Sequence, residues 1–162
     1  MSRAAPDRPS VGVVGLGIMG SAMSANLVRG GFAVHGFDVA APQRAALARA
    51  GGKACRNAAA VAAAAPVVIT SLPSADALRA VARELAAAPR AGGIVVETST
   101  LPIAVKEEAR AILASARMTL MDGPLSGTGA QARRKDLAVY ASGPRAAYAR
   151  CTKAFEGFAR TH

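Results

Sequence analysis

Near the start of the chain, Gly15-Leu16-Gly17-Ile18-Met19-Gly20 forms a GxGxxG run that leaves an apolar, strand-like stretch and enters a helix-like one. Each glycine suits phosphate binding in its own way. Gly15 permits a tight turn, Gly17 lets backbone approach a pyrophosphate with no Cβ in between, and Gly20 lets the helix lie close on the strand. The N–H groups left unpaired at the helix start, at the positive end of its dipole, then face an anion. Asp38 follows 18 residues after Gly20 at the end of the next apolar stretch, where a carboxylate reaches the adenosine ribose hydroxyls of a dinucleotide. A charge there favours NAD over NADP, whose extra phosphate it repels, with NADP left open. A glycine-rich turn and a solvated strand-end acid could carry the same residues; their joint placement points to a dinucleotide.

Other chemistry finds less support. The two cysteines, Cys55 and Cys151, stand far apart and fit neither a disulfide framework nor metal-ligand spacing. His35 sits among apolar residues of a strand and His162 at the chain end, so no Ser-His-Asp set or His-Cys cluster suggests hydrolysis or metal chemistry. No metal site is expected.

The elements that must position the glycine run follow from the pattern. Apolar stretches of strand length alternate with Ala-rich segments of helical length, a rhythm that predicts an α/β fold of Rossmann type: a doubly wound, mainly parallel sheet with helices on both faces. Strands are expected at 10–15, 33–38, 53–55, 66–71, 94–97, 119–121 and 137–141. Helices are expected at 18–29, 42–50, 58–65, 74–88, 102–116 and 144–159, with Asn57 and Ser74 as caps and Gly30-Gly31 and Gly51-Gly52 as stops. The stretch 66–71 (PVVITS) is nearly all apolar or β-branched, as in a strand buried on both faces.

Length and composition agree with one folded domain: 162 residues, 52% hydrophobic, 19% charged, no Trp. Residues 1–9 are expected to be a disordered N-terminus and 10–162 the dinucleotide-binding domain. The net charge of +10 raises the question of nucleic acid. Yet 16 of the 20 basic residues are Arg spread along the chain, the one dense cluster is Arg133, Arg134 and Lys135, and no aromatics interleave with them as base stacking requires. A solvated Arg-rich surface is the reading preferred, with no nucleic-acid and no membrane partner. Without a secretory leader or a long apolar run, the expected location is cytoplasmic.

Four stretches together resemble the β-hydroxyacid dehydrogenase family, the group that includes 3-hydroxyisobutyrate dehydrogenase and the cofactor domain of 6-phosphogluconate dehydrogenase. VGVVGLGIMGSAMSANLVRGGFAVHGFDV matches its GLGxMGxxMAxNL pattern, and VVITSLPSADALRAV its strand with a Leu-Pro turn. VVETSTLP matches its D-x-S-T-x-x-P stretch, with Glu97 for the usual Asp and Pro102 one residue early; DGPLSGTGAQARRKDLAVYASG is similar to its substrate loop. Order and spacing agree across about residues 10–158. The resemblance implies that Leu72 and Pro73 contact the cofactor, that Thr100 lies beside the nicotinamide ribose, and that Ser126, Gly127 and Thr128 bind a substrate carboxylate. It implies hydride transfer between the nicotinamide and a small 3-hydroxy acid or its semialdehyde.

Departures from the family pattern bear on activity. Thr128 replaces the second glycine of the loop, and Lys135 stands where a later glycine is usual. The family's catalytic lysine, on a Gly-rich turn after the cofactor domain, has no counterpart here: Lys135 lies in the substrate loop and Lys153 on the last helix. No catalytic residue is therefore assigned, and the family's helical second domain is expected to be absent. Three alternatives stay open: a non-catalytic NAD(P)-binding or interaction module that self-associates through a face the second domain would cover, an imine reductase-like cofactor domain, and a nucleic-acid binder.

Overall fold

The computed structural model describes residues 8–89 and 91–162. Among the described residues, eight strands and seven helices follow one another: β1 (Ser10–Val14), α1 (Ile18–Arg29), β2 (Ala33–Phe37), α2 (Ala41–Arg49), β3 (Lys53–Ala54), α3 (Ala58–Ala64), β4 (Val67–Thr70), α4 (Ala75–Ala86), β5 (Ile94–Glu97), α5 (Ile103–Ser115), β6 (Thr119–Asp122), β7 (Leu125–Ser126), α6 (Gly129–Arg133), β8 (Ala138–Val139) and α7 (Arg145–Phe158). Of the stretch expected to be disordered, residues 1–7 lie outside the described residues; the Pro9 carbonyl accepts the Ala33 N–H at 3.0 Å.

Six strands form one parallel sheet in the order β3-β2-β1-β4-β5-β6. Side chains alternate across each strand and both faces are covered, which is why β-branched residues fill the central strands almost without interruption. Val11, Val13, Val67, Ile69, Ile94 and Val96 point into a core built with α1 and α7, where Leu27, Phe155 and Phe158 are fully buried. Val14, Val68 and Val95 point the other way, into a core with α3, α4 and α5. Chain order reverses between β1 and β4, since the chain winds outward from β1 to β3 and then crosses back. Loops leaving two neighbouring strands in opposite directions open a crevice at that point.

The helix caps are where the residue types put them. The Asn57 side chain accepts the Ala60 N–H at 2.9 Å and Ser74 Oγ accepts that of Ala77 at 3.2 Å. Each cap is worth about 1 kcal/mol.

After β6 the structure departs from the sequence expectation. The strand expected at 137–141 shrinks to Ala138–Val139, and it pairs antiparallel with β7 in a separate two-stranded sheet. Its neighbours explain this. Val139 N–H donates to the Thr161 carbonyl at 2.9 Å and Tyr140 N–H to that of Pro124 at 3.0 Å, so the backbone is taken up by the chain end and by the segment between β6 and β7. The helix α6 inside the Gly-rich stretch was not expected; Thr128 and Gln131 close a reciprocal capping box at its start.

Candidate functional site

The glycine run turns out of β1 into α1 at the sheet's C-terminal edge. Gly15 has φ +89°, a left-handed conformation, and a Cβ there would overlap the Ser71 carbonyl at the end of β4. The loops after β1 and β4 thus touch through a residue without a side chain. Gly20 is packed as tightly: a Cβ there would lie 2.9 Å from the Gly15 carbonyl carbon. Gly17 differs, because nothing lies within 4 Å of where its Cβ would be. It is the N-cap of α1, and no side chain caps that helix. Open space above an uncapped N-terminus is a cradle for an anion held by backbone N–H groups.

Asp38 closes the loop on the β2 side. Its Oδ2 accepts the Leu16 N–H at 2.7 Å and its Oδ1 accepts the Ala40 N–H at 2.8 Å. The carboxylate is therefore fixed in orientation by the backbone it faces. Arg44 braces the same turn: its guanidinium donates to the carbonyls of Asp38 at 2.7 Å and Val39 at 3.1 Å, and lies 5.9 Å from the centre of the Phe37 ring. The sequence reading did not single out Arg44, although an arginine six residues after a strand-end acid, on the first turns of the next helix, is a position from which it can reach back.

These parts line one cleft of about 480 Å³. Gly15, Gly17, Ile18 and Met19 form one wall, Leu72 and Pro73 the other, and Asp38 lies at one end. Leu16 and Gly20 do not face it; the Leu16 side chain is buried in the core, and only its N–H turns toward Asp38. Val81 and Ala77, spaced four residues apart on α4, complete an apolar side that sequence reasoning missed.

Thr100 lies outside this cleft, exposed one strand further on. Its neighbour Ser99 ties the two strand ends together, accepting the Leu72 N–H on its hydroxyl at 2.8 Å. Ser126, Gly127 and Thr128 are exposed. Gly127 has φ +136°, and a Cβ there would meet Leu137 at 2.6 Å. Thr128 Oγ1 accepts the Gln131 N–H at 3.3 Å, so that hydroxyl also serves as a helix cap. The loop is brought to the glycine run by α6 packing on α1: a Cβ on Gly129 would lie 2.5 Å from the Ile18 side chain. Asn26 of α1, buried, donates to the Ala132 carbonyl at 2.7 Å.

No group of three or more metal-ligating side chains occurs among the described residues, and no helix among them is long and apolar enough to cross a membrane. The Cys151 thiol, on the buried face of α7, has its pKa pushed up to about 11 by that burial.

Known proteins share this arrangement. The chain is 34% identical to L-threonate dehydrogenase of Cupriavidus necator over 142 residues, 86% of this chain and 48% of that protein. The structure of 3-hydroxyisobutyrate dehydrogenase from Mycobacterium tuberculosis, solved with L-serine, superposes with a TM-score of 0.90 at 32% identity, covering 95% of this chain and 53% of that one. An imine reductase from Streptomyces aurantiacus superposes with a TM-score of 0.81 at 28% identity, covering 94% and 53%. The chain spans about half the length of the curated relatives it matches. Residues 10–162 match the family model of the NAD binding domain of 6-phosphogluconate dehydrogenase. With its glycine cradle, strand-end acid and parallel order all in place, the chain belongs to that family of NAD(P)-binding domains of hydroxyacid dehydrogenases.

Proposed function

We propose that the chain holds NAD(H) across the C-terminal edge of its sheet and presents the nicotinamide to a small 3-hydroxy acid or the matching semialdehyde. The observation that carries this reading is the open, uncapped N-terminus of α1 at Gly17, facing a cleft that ends at Asp38. Ile18 and Met19 N–H groups hold the pyrophosphate, and Asp38 takes the adenosine ribose. NAD is preferred, because Asp38 offers a fixed negative charge where NADP carries its additional phosphate. The names of the relatives, dehydrogenases of small hydroxy acids, support the substrate class.

Bound NADH would give a hydride to the semialdehyde, and bound NAD+ would take one from the hydroxy acid; the residues of this chain orient and bind. Ser126 and Gly127 hold the substrate carboxylate through hydroxyl and N–H groups beside the glycine run, and Thr128, whose N–H and hydroxyl both donate to Gln131, anchors the end of that loop. Thr100 lies against the nicotinamide ribose. Lys106 is buried in an ion pair with Glu97, Lys153 lies on α7 and Lys135 on the turn after α6, and none of these is assigned to move a proton to the substrate oxygen. These 162 residues by themselves therefore bind NAD(H) and turn it over slowly or not at all.

Titration calorimetry of the purified chain with NADH tests the binding. A saturable heat that Gly17→Asp abolishes supports it; no heat with NADH or NADPH overturns it. For turnover, NADH oxidation with a semialdehyde is the assay, and a robust rate lost in Ser126→Ala contradicts the second half of the reading.

A further inference from the structure

Glu97 ends β5 with no exposure at all, and a carboxylate out of water is costly unless paired. Its partner is Lys106 from the first turns of α5, whose Nζ lies 3.2 Å from Glu97 Oε2 and is hydrogen-bonded to Asp122 at the end of β6. Replacing a buried ion pair by apolar side chains is commonly neutral or stabilising, so this pair adds little to stability that packing could not supply. What the carboxylate does supply is an acceptor. Glu97 Oε1 takes the Ser99 N–H at 2.9 Å, and Ser99 Oγ takes the Leu72 N–H at 2.8 Å.

Sheet order says which part of a bound dinucleotide this device faces. With the adenosine ribose at Asp38 after β2 and the pyrophosphate over Gly17 after β1, the second ribose and its ring must extend over β4 and β5. The distance from β2 to β5 is three strand spacings, about 14 Å, which suits an extended dinucleotide. The Ser99-Thr100 turn stands at that far end.

We propose that Glu97, held by Lys106, is the positioning residue of the nicotinamide half of the crevice. It fixes the turn that carries Thr100, while the adenosine half is built by Asp38 and the glycine run without it. This rests on the dinucleotide reading above.

The test compares two ligands on the whole chain: NADH, and ADP, which has the adenosine and the pyrophosphate but neither the second ribose nor the nicotinamide. Wild type binds both. E97A is expected to weaken NADH about ten-fold and ADP less than about two-fold, a coupling of the size seen between contacting groups. E97D keeps an acceptor for the Ser99 N–H and is expected to stay near wild type for both. E97Q, of the same shape but uncharged, keeps the proposal open to refutation should E97A not fold; the same selectivity is expected at about three-fold. Equal weakening of both ligands in E97A and E97Q, or no change in either, overturns the proposal. A wild-type chain that binds neither ligand overturns the dinucleotide reading and this inference with it, and shows itself before any substitution is made.

Discussion

Gly20 packs against the carbonyl of Gly15: a Cβ at position 20 would lie 2.9 Å from the Gly15 carbonyl carbon and overlap its oxygen. The third glycine of the run thus sets how closely α1 approaches β1. Gly20→Ala is expected to destabilise the fold by about 1–3 kcal/mol, the usual cost of overpacking, measured by urea unfolding. Gly17→Ala is the contrasting case, because its Cβ would stand in open space with φ −69° already allowed. It should leave the urea midpoint near wild type and weaken NADH binding, since the methyl group enters the cradle.

On the proposed reading Asp38 discriminates between cofactors by charge, and it also holds the loop by two hydrogen bonds; Asp38→Asn affects the two differently. The amide oxygen still accepts one of the two backbone N–H groups, the other loses its acceptor, and the charge is gone. The ratio of NADPH to NADH dissociation constants is expected to fall by about ten-fold, or about 1.4 kcal/mol. An unchanged ratio in a well-folded variant would show that the charge plays no part in the choice.

Asn26 ties α1, which carries the glycine run, to α6, which follows the 126–128 loop. Its amide donates to the Ala132 carbonyl and accepts from Arg29. Asn26→Ala removes this tie between the two helices and leaves the Ala132 carbonyl with the Lys135 N–H alone, at a cost of about 0.5–1.5 kcal/mol, the usual net worth of one hydrogen bond. Hydrogen exchange in residues 126–134 should speed up while that of the central strands keeps its rank order.

Cys151 carries a pH dependence of definite sign. Burial raises its thiol from the ordinary 9.0 to about 11. The unfolded chain gives up that proton first, so stability falls as pH rises between these two values and is unaffected by this group below them. Subtracting the pH–stability curve of Cys151→Ala from that of wild type isolates the effect. A difference curve that is flat from pH 8 to 11 contradicts it.

Much of the site is legible in the sequence, for local reasons. The glycine run, its helix and Asp38 lie within 24 residues, and strand-length β-branched stretches buried on both faces fix the parallel sheet around them. What escapes reading depends on the return angle of distant elements. Lys106 follows Glu97 by nine residues and reaches it because α5 folds back along β5, which no period in the sequence encodes. The short helix α6 has five residues, too few for periodicity to show, and Asn26 and Ile18 of α1 hold it in place. Two-residue strands such as β7 and β8 leave no alternation to count.

The central claim is that a dinucleotide spans the crevice from Asp38 to Thr100. A titration of the isotopically labelled chain with NAD, followed through backbone amide resonances, measures this most directly. The account expects the largest shifts at Gly17, Ile18 and Met19, with further shifts at Asp38, Leu72 and Thr100. Saturating NAD that leaves these amides unmoved, or moves only residues of α7 and the chain end, contradicts it.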